Sequence, residues 1–506
     1  MIALLLFGSF FLFLGLGIPV AFALGLSAVV TLVTTDGFQV LDVVPSVMFP
    51  SMSSGTLLAI PFFILAGIVM QYTGISQRLV DLAFLIFGRL RHGLAAVTII
   101  SAFFFSAISG SGPATVAAIG AILIPALVRN GYQKKHAVSL VAASGSMGIV
   151  VPPSIAFIIF AVVAAEFGSI SISRLFIAGI VPGIIMALAF FIAALFVPRV
   201  RELAGLPVRA KTGAEAGAGS TSSAGGSDSA GSGGSGDGAA GDSAAVGKTQ
   251  LLTTNGKAAS ASSGSSGSGV GTVDPTVTAH HDGGFGEFMS ALIKAIPGLL
   301  IPVIILGGIY GGIFTPTEAG AVASVYALVV GVFVYRELTW KDMPKVFLES
   351  GVSTAVIMFI VGVASLFSYV ITVEGVADRI STAVLGVTDN KYLILAAITI
   401  ILLIVGAFVD AISAFYLFIP ILVPILIGVG VDMTTIGVFM TVNLAIGLFT
   451  PPVGLNLYVG AGIGKIKLEE VARGIMPFLI CAIIALLLIT YIPAISNWLP
   501  DLLGVG

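Results

Sequence analysis

The apolar pattern of this sequence is interrupted twice in a similar way, at Gly145-Ser-Met-Gly-Ile-Val-Val-Pro-Pro-Ser154 and at Gly447-Leu-Phe-Thr-Pro-Pro-Val-Gly-Leu-Asn456. In each stretch two adjacent prolines follow a glycine. A proline has no amide hydrogen to donate, and it disfavours helical backbone at the residue before it. Each stretch therefore predicts a helix that stops and resumes inside an apolar segment. Any one proline kink has an ordinary structural explanation, so the prediction depends on the repetition.

The repetition extends beyond these two stretches. Pro125 lies 27 residues before Pro152, and Pro424 lies 27 residues before Pro451, an offset of 424 − 125 = 299. Further pairs share this offset or one close to it: Gly131 with Gly430, Gly148 with Gly447, and Gly74-Ile-Ser-Gln-Arg78 with Gly375-Val-Ala-Asp-Arg379. Such agreement indicates two halves that arose by duplication.

The composition places both halves in a membrane. Of 506 residues, 57% are hydrophobic and 9% are charged, and the mean hydropathy of +1.14 exceeds what a soluble core needs. Apolar runs of nearly spanning length recur, and we count about a dozen passes. We therefore predict an all-α polytopic membrane protein. The net charge of −2 gives no reason to expect a nucleic-acid partner.

A polar segment divides the chain. Residues 204–290 are rich in Gly, Ser and Ala, and such a segment buries too little apolar area to order itself. We predict a first repeat at 1–203, a flexible linker at 204–290 and a second repeat at 291–506.

Lys and Arg residues predict the orientation of the halves. Basic residues at both ends of 94–128 favour a hairpin that enters the membrane and returns to the cytoplasm, whereas 392–428 lacks such flanks and suits an external opening. The halves are then inverted, with both termini external and the linker cytoplasmic. Every basic cluster falls on the same side: Arg89, Arg91, Arg129, Lys134 and Lys135; Arg199, Arg201 and Arg209; Arg336, Lys341 and Lys345; Lys465, Lys467 and Arg473.

The predicted hairpins have polar turns. In the first, Ser106-Ala-Ile-Ser-Gly-Ser-Gly-Pro-Ala-Thr115 must break helical hydrogen bonds, and freed carbonyls beside hydroxyls are oxygen ligands for a hard cation. The helix that resumes after Gly112 directs its positive end toward an anion. In the second, Asp410 lies in an apolar run. Burying a carboxylate in a membrane costs free energy, so an acid at this depth indicates a functional role.

Oxygen-lined breaks with few buried acids favour coupling to sodium over protons. The sequence has no G-x-x-x-x-G-K-[ST] motif, so we expect no ATP hydrolysis. It also shows no nucleophile paired with a general base and no cluster of metal ligands, so we expect neither an enzyme nor a cofactor.

Three other charged residues have simple explanations. Glu318 follows Thr317 at the start of a span, which predicts a helix capped by Thr317 with an acid at its positive end. Glu166 and Arg174 flank a predicted external turn, and we expect both to be solvated.

Together these motifs resemble the large membrane subunit of tripartite ATP-independent periplasmic (TRAP) transporters, the DctM type. The resemblance rests on five stretches: Gly17-Ile-Pro-Val-Ala-Phe-Ala-Leu-Gly25, Ser109-Gly-Ser-Gly-Pro-Ala-Thr115, Gly148-Ile-Val-Val-Pro-Pro-Ser154, Phe314-Thr-Pro-Thr-Glu-Ala-Gly320 and Gly447-Leu-Phe-Thr-Pro-Pro-Val-Gly-Leu-Asn456. It implies an ion-transporter-like fold in a bacterial or archaeal inner membrane, and sodium-driven uptake of an organic acid by an elevator movement. It also implies a soluble extracytoplasmic binding protein and a small four-helix subunit, here a separate polypeptide.

The resemblance further implies three sets of residues. The first sodium site would use Ser109, Gly110, Ser111 and Gly112 with Gly148, Val151 and Pro152. The second would use Asp410 and Ser413 with Gly447 and Thr450. Solute contacts would come from Pro113, Thr115, Ser154, Pro452, Gly454 and Asn456. Sodium is the metal expected. A C4-dicarboxylate or a sugar acid is equally compatible with the motifs, and a stand-alone anion symporter or a channel remains an alternative.

Overall fold

The computed structural model describes residues 2–88, 90, 92–197 and 285–505. Most of the predicted linker lies outside the described residues. The described residues form α-helices joined by short turns, with no strand among them. This confirms the all-α fold.

The helices of the first half run from the start of the chain to Phe196. They are α1 (Ile2–Gly15), α2 (Val20–Asp36), α3 (Val43–Met52), α4 (Ala59–Tyr72), α5 (Ile75–Phe87), α6 (Gly93–Ser109), α7 (Gly112–Arg129), α8 (Lys134–Gly145), α9 (Ile155–Ala164) and α10 (Ile172–Phe196).

The helices of the second half begin at Phe285. They are α11 (Phe285–Tyr310), α12 (Pro316–Val329), α13 (Met343–Val373), α14 (Val376–Val387), α15 (Lys391–Gly406), α16 (Ala411–Gly428), α17 (Met433–Gly447), α18 (Leu455–Gly464), α19 (Leu468–Gly474), α20 (Met476–Tyr491) and α21 (Ala494–Leu502). Residues 285–290 are therefore helical, and the linker boundary predicted at 290 is too late. Glu287 in the first turn of α11 complements the positive end of the helix.

Full spans are fewer than the dozen passes counted from the sequence. Among the described residues, six helices are long and apolar enough to cross a bilayer, or eight if each of two bent helix pairs counts as one span. One bent pair is α4 and α5, which meet at 69°. Many of the other apolar helices have 10–17 residues, short of the roughly 20 that a span needs. Several of these are hairpin arms and pieces of broken helices.

The duplication is visible in the helix boundaries. The α6–α7 hairpin covers residues 93–129 and the α15–α16 hairpin covers 391–428, where hairpins at 94–128 and 392–428 are predicted. In each half a helix stops at the proline pair and a second helix follows, α8 with α9 and α17 with α18. Both discontinuous helices are thereby confirmed.

The two halves interlock. Helix α7 packs against α18, and α16 packs against α9, so the second arm of each hairpin contacts the helix that follows the break in the other half. This reciprocal packing brings all four polar interruptions to one region of the molecule.

Arg174 is not the solvated side chain that its turn suggests. Its guanidinium donates to Thr434 Oγ1 (2.9 Å), to the Val505 carbonyl (2.6 Å) and to Asp501 Oδ1 (2.6 Å). These bonds tie the first turn of α10 to α17 and to the C-terminal segment. The prediction of a solvated side chain was wrong because the hydrogen-bond partners of Arg174 lie far away in the sequence.

Helix α12 begins with a capping box formed by Thr315 and Glu318. The Thr315 amide donates to Glu318 Oε2 (2.8 Å), and Thr315 Oγ1 accepts from the Glu318 amide (3.3 Å). The helix start and the acid at its positive end agree with the prediction. The cap is Thr315, because the Thr317 hydroxyl instead donates to the Gly55 carbonyl (3.1 Å).

Candidate functional site

A cavity of about 240 Å³ lies where the two hairpin tips meet. It is lined by both tips, both breaks and two flanking helices: Ile64, Gly67, Ile68 and Gln71 of α4; Ser109–Ala114 of the first tip; Ile149, Ile155 and Ala156; Ser353 and Ile357 of α13; Asp410, Ala411 and Ile412 of the second tip; and Leu448 and Leu455.

Four helix N-termini converge on this cavity. Its lining includes the first residues of α7, of α9, of α16 and of α18. The first amides of a helix have no partner inside it, and they carry the positive end of the helix dipole. Among the described residues, Asp410 is the one charged side chain in the lining. Asp410 occupies the first amides of α16, so an anionic group would be attracted by the backbone amides of the other helix starts, without Lys or Arg.

The first tip is a compact hydroxyl cluster. Gly110 is left-handed (φ +59°), which reverses the chain between α6 and α7. Thr115 Oγ1 donates to the Ser111 carbonyl (2.8 Å) and lies 2.9 Å from Ser109 Oγ. Ser106 Oγ lies 3.5 Å from the same Thr115 oxygen. The tip thus concentrates hydroxyl and carbonyl oxygens, which hard cations prefer.

The first tip is in direct contact with the first break. A Cβ built on Gly148 would lie 2.5 Å from the Ser111 carbonyl oxygen and 2.9 Å from the Gly112 nitrogen. The break therefore brings its backbone against the Ser111–Gly112 peptide, and only a glycine permits this approach. The structure places together the two segments proposed for the first sodium site. Val151 in the break is buried and does not line the cavity.

The second tip is organised by Asp410, the N-cap of α16. Asp410 Oδ2 accepts from the amides of Ile412 (3.0 Å) and Ser413 (3.1 Å), and Oδ1 accepts from Ser413 Oγ (2.6 Å). An N-cap is one reason for an acid at this position. Because Asp410 also lines the cavity, the same carboxylate is available to a cation.

The second tip also meets its break, but through earlier residues than expected. A Cβ on Gly447 would lie 2.5 Å from the Gly406 carbonyl carbon, and the Ala407 carbonyl accepts from the Gly454 amide (3.0 Å). The resemblance paired the break with Asp410 and Ser413, whereas the closest backbone contact involves Gly406 and Ala407. The Thr450 hydroxyl donates to the Ile446 carbonyl (2.7 Å).

The residues expected to contact the solute are divided. Pro113 lines the cavity. Thr115, Ser154 and Asn456 are fully buried and lie outside its lining. Pro452 is exposed and Gly454 is buried, and neither lines the cavity.

Ser154 and Asn456 instead hold the breaks together. Ser154 Oγ donates to the Ile149 carbonyl across the first break (2.6 Å). Asn456 Nδ2 donates to the Ala142 carbonyl of the other half (3.1 Å), and its Oδ1 is buried without a partner among the described residues. That oxygen would lie 3.1 Å from a Cβ on Gly112, so it adjoins the first tip.

Two polar residues of the cavity were not predicted from the sequence. Gln71 near the end of α4 and Ser353 of α13 both line it. Both lie outside the repeated motifs. The one sequence signal that could have indicated them is the side-chain amide of Gln71, which follows a long apolar run in α4.

Comparison with known proteins gives a consistent result. The family model described as "Tripartite ATP-independent periplasmic transporter, DctM component" matches residues 7–495. The isethionate TRAP transporter permease protein DctMQ of Oleidesulfovibrio alaskensis is 37% identical over 97% of this chain, which spans 65% of that protein. The C4-dicarboxylate TRAP transporter large permease protein DctM of Pseudomonas aeruginosa is 34% identical, covering 96% of this chain and 95% of that protein.

Two further matches widen the comparison. The sialic acid TRAP transporter permease protein SiaT of Haemophilus influenzae is 30% identical over 96% of this chain, which spans 66% of that protein. The crystal structure of the Alcanivorax borkumensis YdaH transporter aligns with a TM-score of 0.56 at 14% identity, covering 94% of this chain and 90% of that one. At that identity the likeness concerns the fold alone.

Proposed function

The chain belongs to the DctM component family of tripartite ATP-independent periplasmic transporters, and from this we propose that it is the permease of a sodium-coupled importer of a small organic acid. Its relatives are named as transporter permeases of different acids, so membership alone leaves the solute open. The site of this chain supplies the rest of the argument.

The convergence of four helix N-termini on one cavity carries the proposal. The amides at the starts of α7 and α9 supply partial positive charge where both halves meet, whereas the first amides of α16 already donate to Asp410. A carboxylate or similar anion suits such a site. The cavity volume of about 240 Å³ lies below the ~300–1,000 Å³ of drug-sized sites, which supports an acid of about four carbons over a larger sugar acid.

Sodium is the proposed coupling ion. The oxygen cluster at Ser109, Ser111 and Thr115 meets one break, and the Gly406–Asp410 turn meets the other. Hydroxyl and carbonyl oxygens suit a hard cation. A sodium ion near each tip would also offset the charge of Asp410 and of the solute, since no basic side chain lines the described cavity.

An elevator movement is the proposed mode of transport. Helices α4 and α13 line the cavity beside the hairpin tips, so displacement of the hairpins and broken helices along these two helices would carry the solute. We place the chain in an inner membrane with external termini and a cytoplasmic 204–290 segment. Its proposed partners are a separate four-helix membrane subunit and a soluble extracytoplasmic binding protein.

Reconstitution tests the proposal. The full chain is placed in liposomes with and without a candidate binding protein and small membrane subunit, and uptake of a labelled organic acid is followed under an inward sodium gradient. We expect accumulation against the acid gradient that needs all three proteins and stops when potassium replaces sodium. Sodium-driven uptake by the chain alone would instead identify a stand-alone symporter. Equilibration without accumulation would identify a channel.

A further inference from the structure

Each half of the molecule carries an apolar groove beside the first arm of its hairpin. The first arm groove, of about 710 Å³, lies between α5, α6 and α10, and the second arm groove, of about 680 Å³, lies between α14, α15 and α16. One wall corresponds through the repeat: Leu79, Leu82, Ala83, Ile86 and Phe87 of α5 match Ile380, Ala383, Val384 and Val387 of α14 and Thr388 after it, all at an offset of 301. This wall is therefore duplicated, whereas the third wall is α10 in the first arm groove and α16 in the second.

The two grooves differ in the contacts of the arginine that directly precedes the duplicated wall. Arg78 in α5 corresponds to Arg379 in α14, again at an offset of 301. Arg78 is locked, because it donates to the Thr73 carbonyl (2.9 Å), pairs with Glu337 (2.5 Å) and lies 3.9 Å from the centre of the Tyr335 ring. Arg379 is exposed and lines the second arm groove, and its guanidinium has no hydrogen bond or ion pair with the described residues.

Helix length places Arg379 near a bilayer surface. Helix α13 has 31 residues and is thus about 46 Å long, which exceeds the ~30 Å hydrocarbon core. Because α13 begins beside the basic residues Lys341 and Lys345, we expect its other end at Val373 to lie near the opposite headgroup layer. Arg379 is six residues further along, in the first turn of α14 after the left-handed Gly375, so we expect its guanidinium near the depth of lipid phosphates.

We propose that the second arm groove binds one membrane phospholipid, with an acyl chain between α14 and α15 and its phosphate on Arg379. A guanidinium pairs with a phosphate through two parallel hydrogen bonds, which matches the one free charge at the groove. Ala383 and Ala397 leave room for a flexible chain, and the remaining lining residues are apolar except Thr388. Such an apolar groove offers water few hydrogen bonds, whereas lipid acyl chains are available in the surrounding membrane.

Native mass spectrometry of the purified full chain tests this site. We expect one retained phospholipid that Arg379→Gln and Ala397→Trp remove. Rebinding of phosphatidylglycerol by Arg379→Gln should be at least about tenfold weaker, since hydrogen bonds to charged groups are among the strongest in proteins. Ala187→Trp fills the first arm groove and should keep the lipid. An uncharged glycosyl diacylglycerol should not replace it, and inorganic phosphate should not displace it.

The same retained phospholipid in Arg379→Gln and Ala397→Trp, at wild-type affinity, would overturn the proposal. A photoreactive residue at position 397 in cells separates the remaining possibilities by the mass of its adduct. An adduct of lipid mass supports the site, and one of polypeptide mass shows that a partner helix or a second copy covers the groove. Both residues are exposed, so their replacement leaves the core untouched, and thermal unfolding checks this.

Discussion

At the scale of single residues, Asp410 combines a structural and a proposed ionic role, and the molecule contains a matched control. Asp432 caps α17 as Asp410 caps α16, with Oδ1 accepting from the Thr435 amide (2.9 Å) and Oδ2 from its hydroxyl (2.6 Å). Both acids thus pair with a hydroxyl residue three positions later. Only Asp410 lines the cavity.

This pair yields a prediction that separates capping from ion binding. Asparagine is as good an N-cap as aspartate but carries no charge, so Asp410→Asn should keep the thermal stability while raising the sodium concentration for half-maximal uptake about tenfold or more. Asp410→Ala should in addition lose about 0.5–2 kcal/mol of stability. Asp432→Asn should leave sodium dependence unchanged. The same sodium dependence of uptake in Asp410→Asn and the parent chain would show that Asp410 acts only as an N-cap.

Sequence patterns located the polar breaks but not the direction of each side chain within them. Thr115 and Ser154 belong to the predicted motifs, yet both are buried and bonded to backbone carbonyls beside the cavity. Successive helical residues point about 100° apart, so a motif without its packing partners leaves the direction undetermined. Gln71 and Ser353 reach the site from helices with no such motif.

At the scale of elements, the contact between each tip and its break depends on one glycine. Gly148 and Gly447 approach the backbone of the opposing tip so closely that an added Cβ would lie 2.5 Å from it. Separations of this kind leave no room for any side chain. The two halves use the same device at positions 299 residues apart.

We therefore expect Gly148→Ala and Gly447→Ala to separate tip from break and to abolish most sodium-dependent uptake. Overpacking of this kind costs about 1–3 kcal/mol, which thermal unfolding in detergent would detect. Gly462→Ala is the control, because a Cβ there meets nothing within 4 Å and helix propensity favours alanine. Full sodium-coupled uptake by both alanine variants would show that these contacts are dispensable.

The hydrophobicity of the sequence predicts the limits of some helices but not the number of helices that cross the membrane. The limits of both hairpins followed from apolar runs that end at polar or charged residues, and Lys and Arg flank only the α6–α7 hairpin on both sides. Apolarity alone counted too many passes, because a hairpin arm such as α6 is as apolar as a spanning helix but stops at a buried tip. The start of α11 was missed because residues 285–290 directly follow a polar segment.

At the scale of the whole molecule, the central question is whether the hairpin tips move relative to the helices that face them. Helix α4 packs on α12 and α13, and it meets the first tip where Gly67 contacts Ser109. Helices α8 and α18 pack on each other among the hairpins and breaks. An elevator movement requires the first contact to separate in each cycle and the second to persist.

A pair of disulfides tests this requirement. A Cβ on Gly67 would lie 3.8 Å from Ser109 Cβ, close to the mean of about 3.8 Å in disulfides, and one on Gly460 would lie 3.7 Å from Ala142 Cβ. In a chain with Cys481→Ala, oxidised Gly67→Cys/Ser109→Cys should lose most of its uptake and regain it on reduction. Oxidised Gly460→Cys/Ala142→Cys should transport as its reduced form does. The reduced Gly67→Cys/Ser109→Cys chain sets the baseline, since Ser109 is a proposed sodium ligand. Equal uptake by its oxidised and reduced forms, with the disulfide shown by mass, would mean that solute passes the tips while they stay fixed to α4, as in a channel.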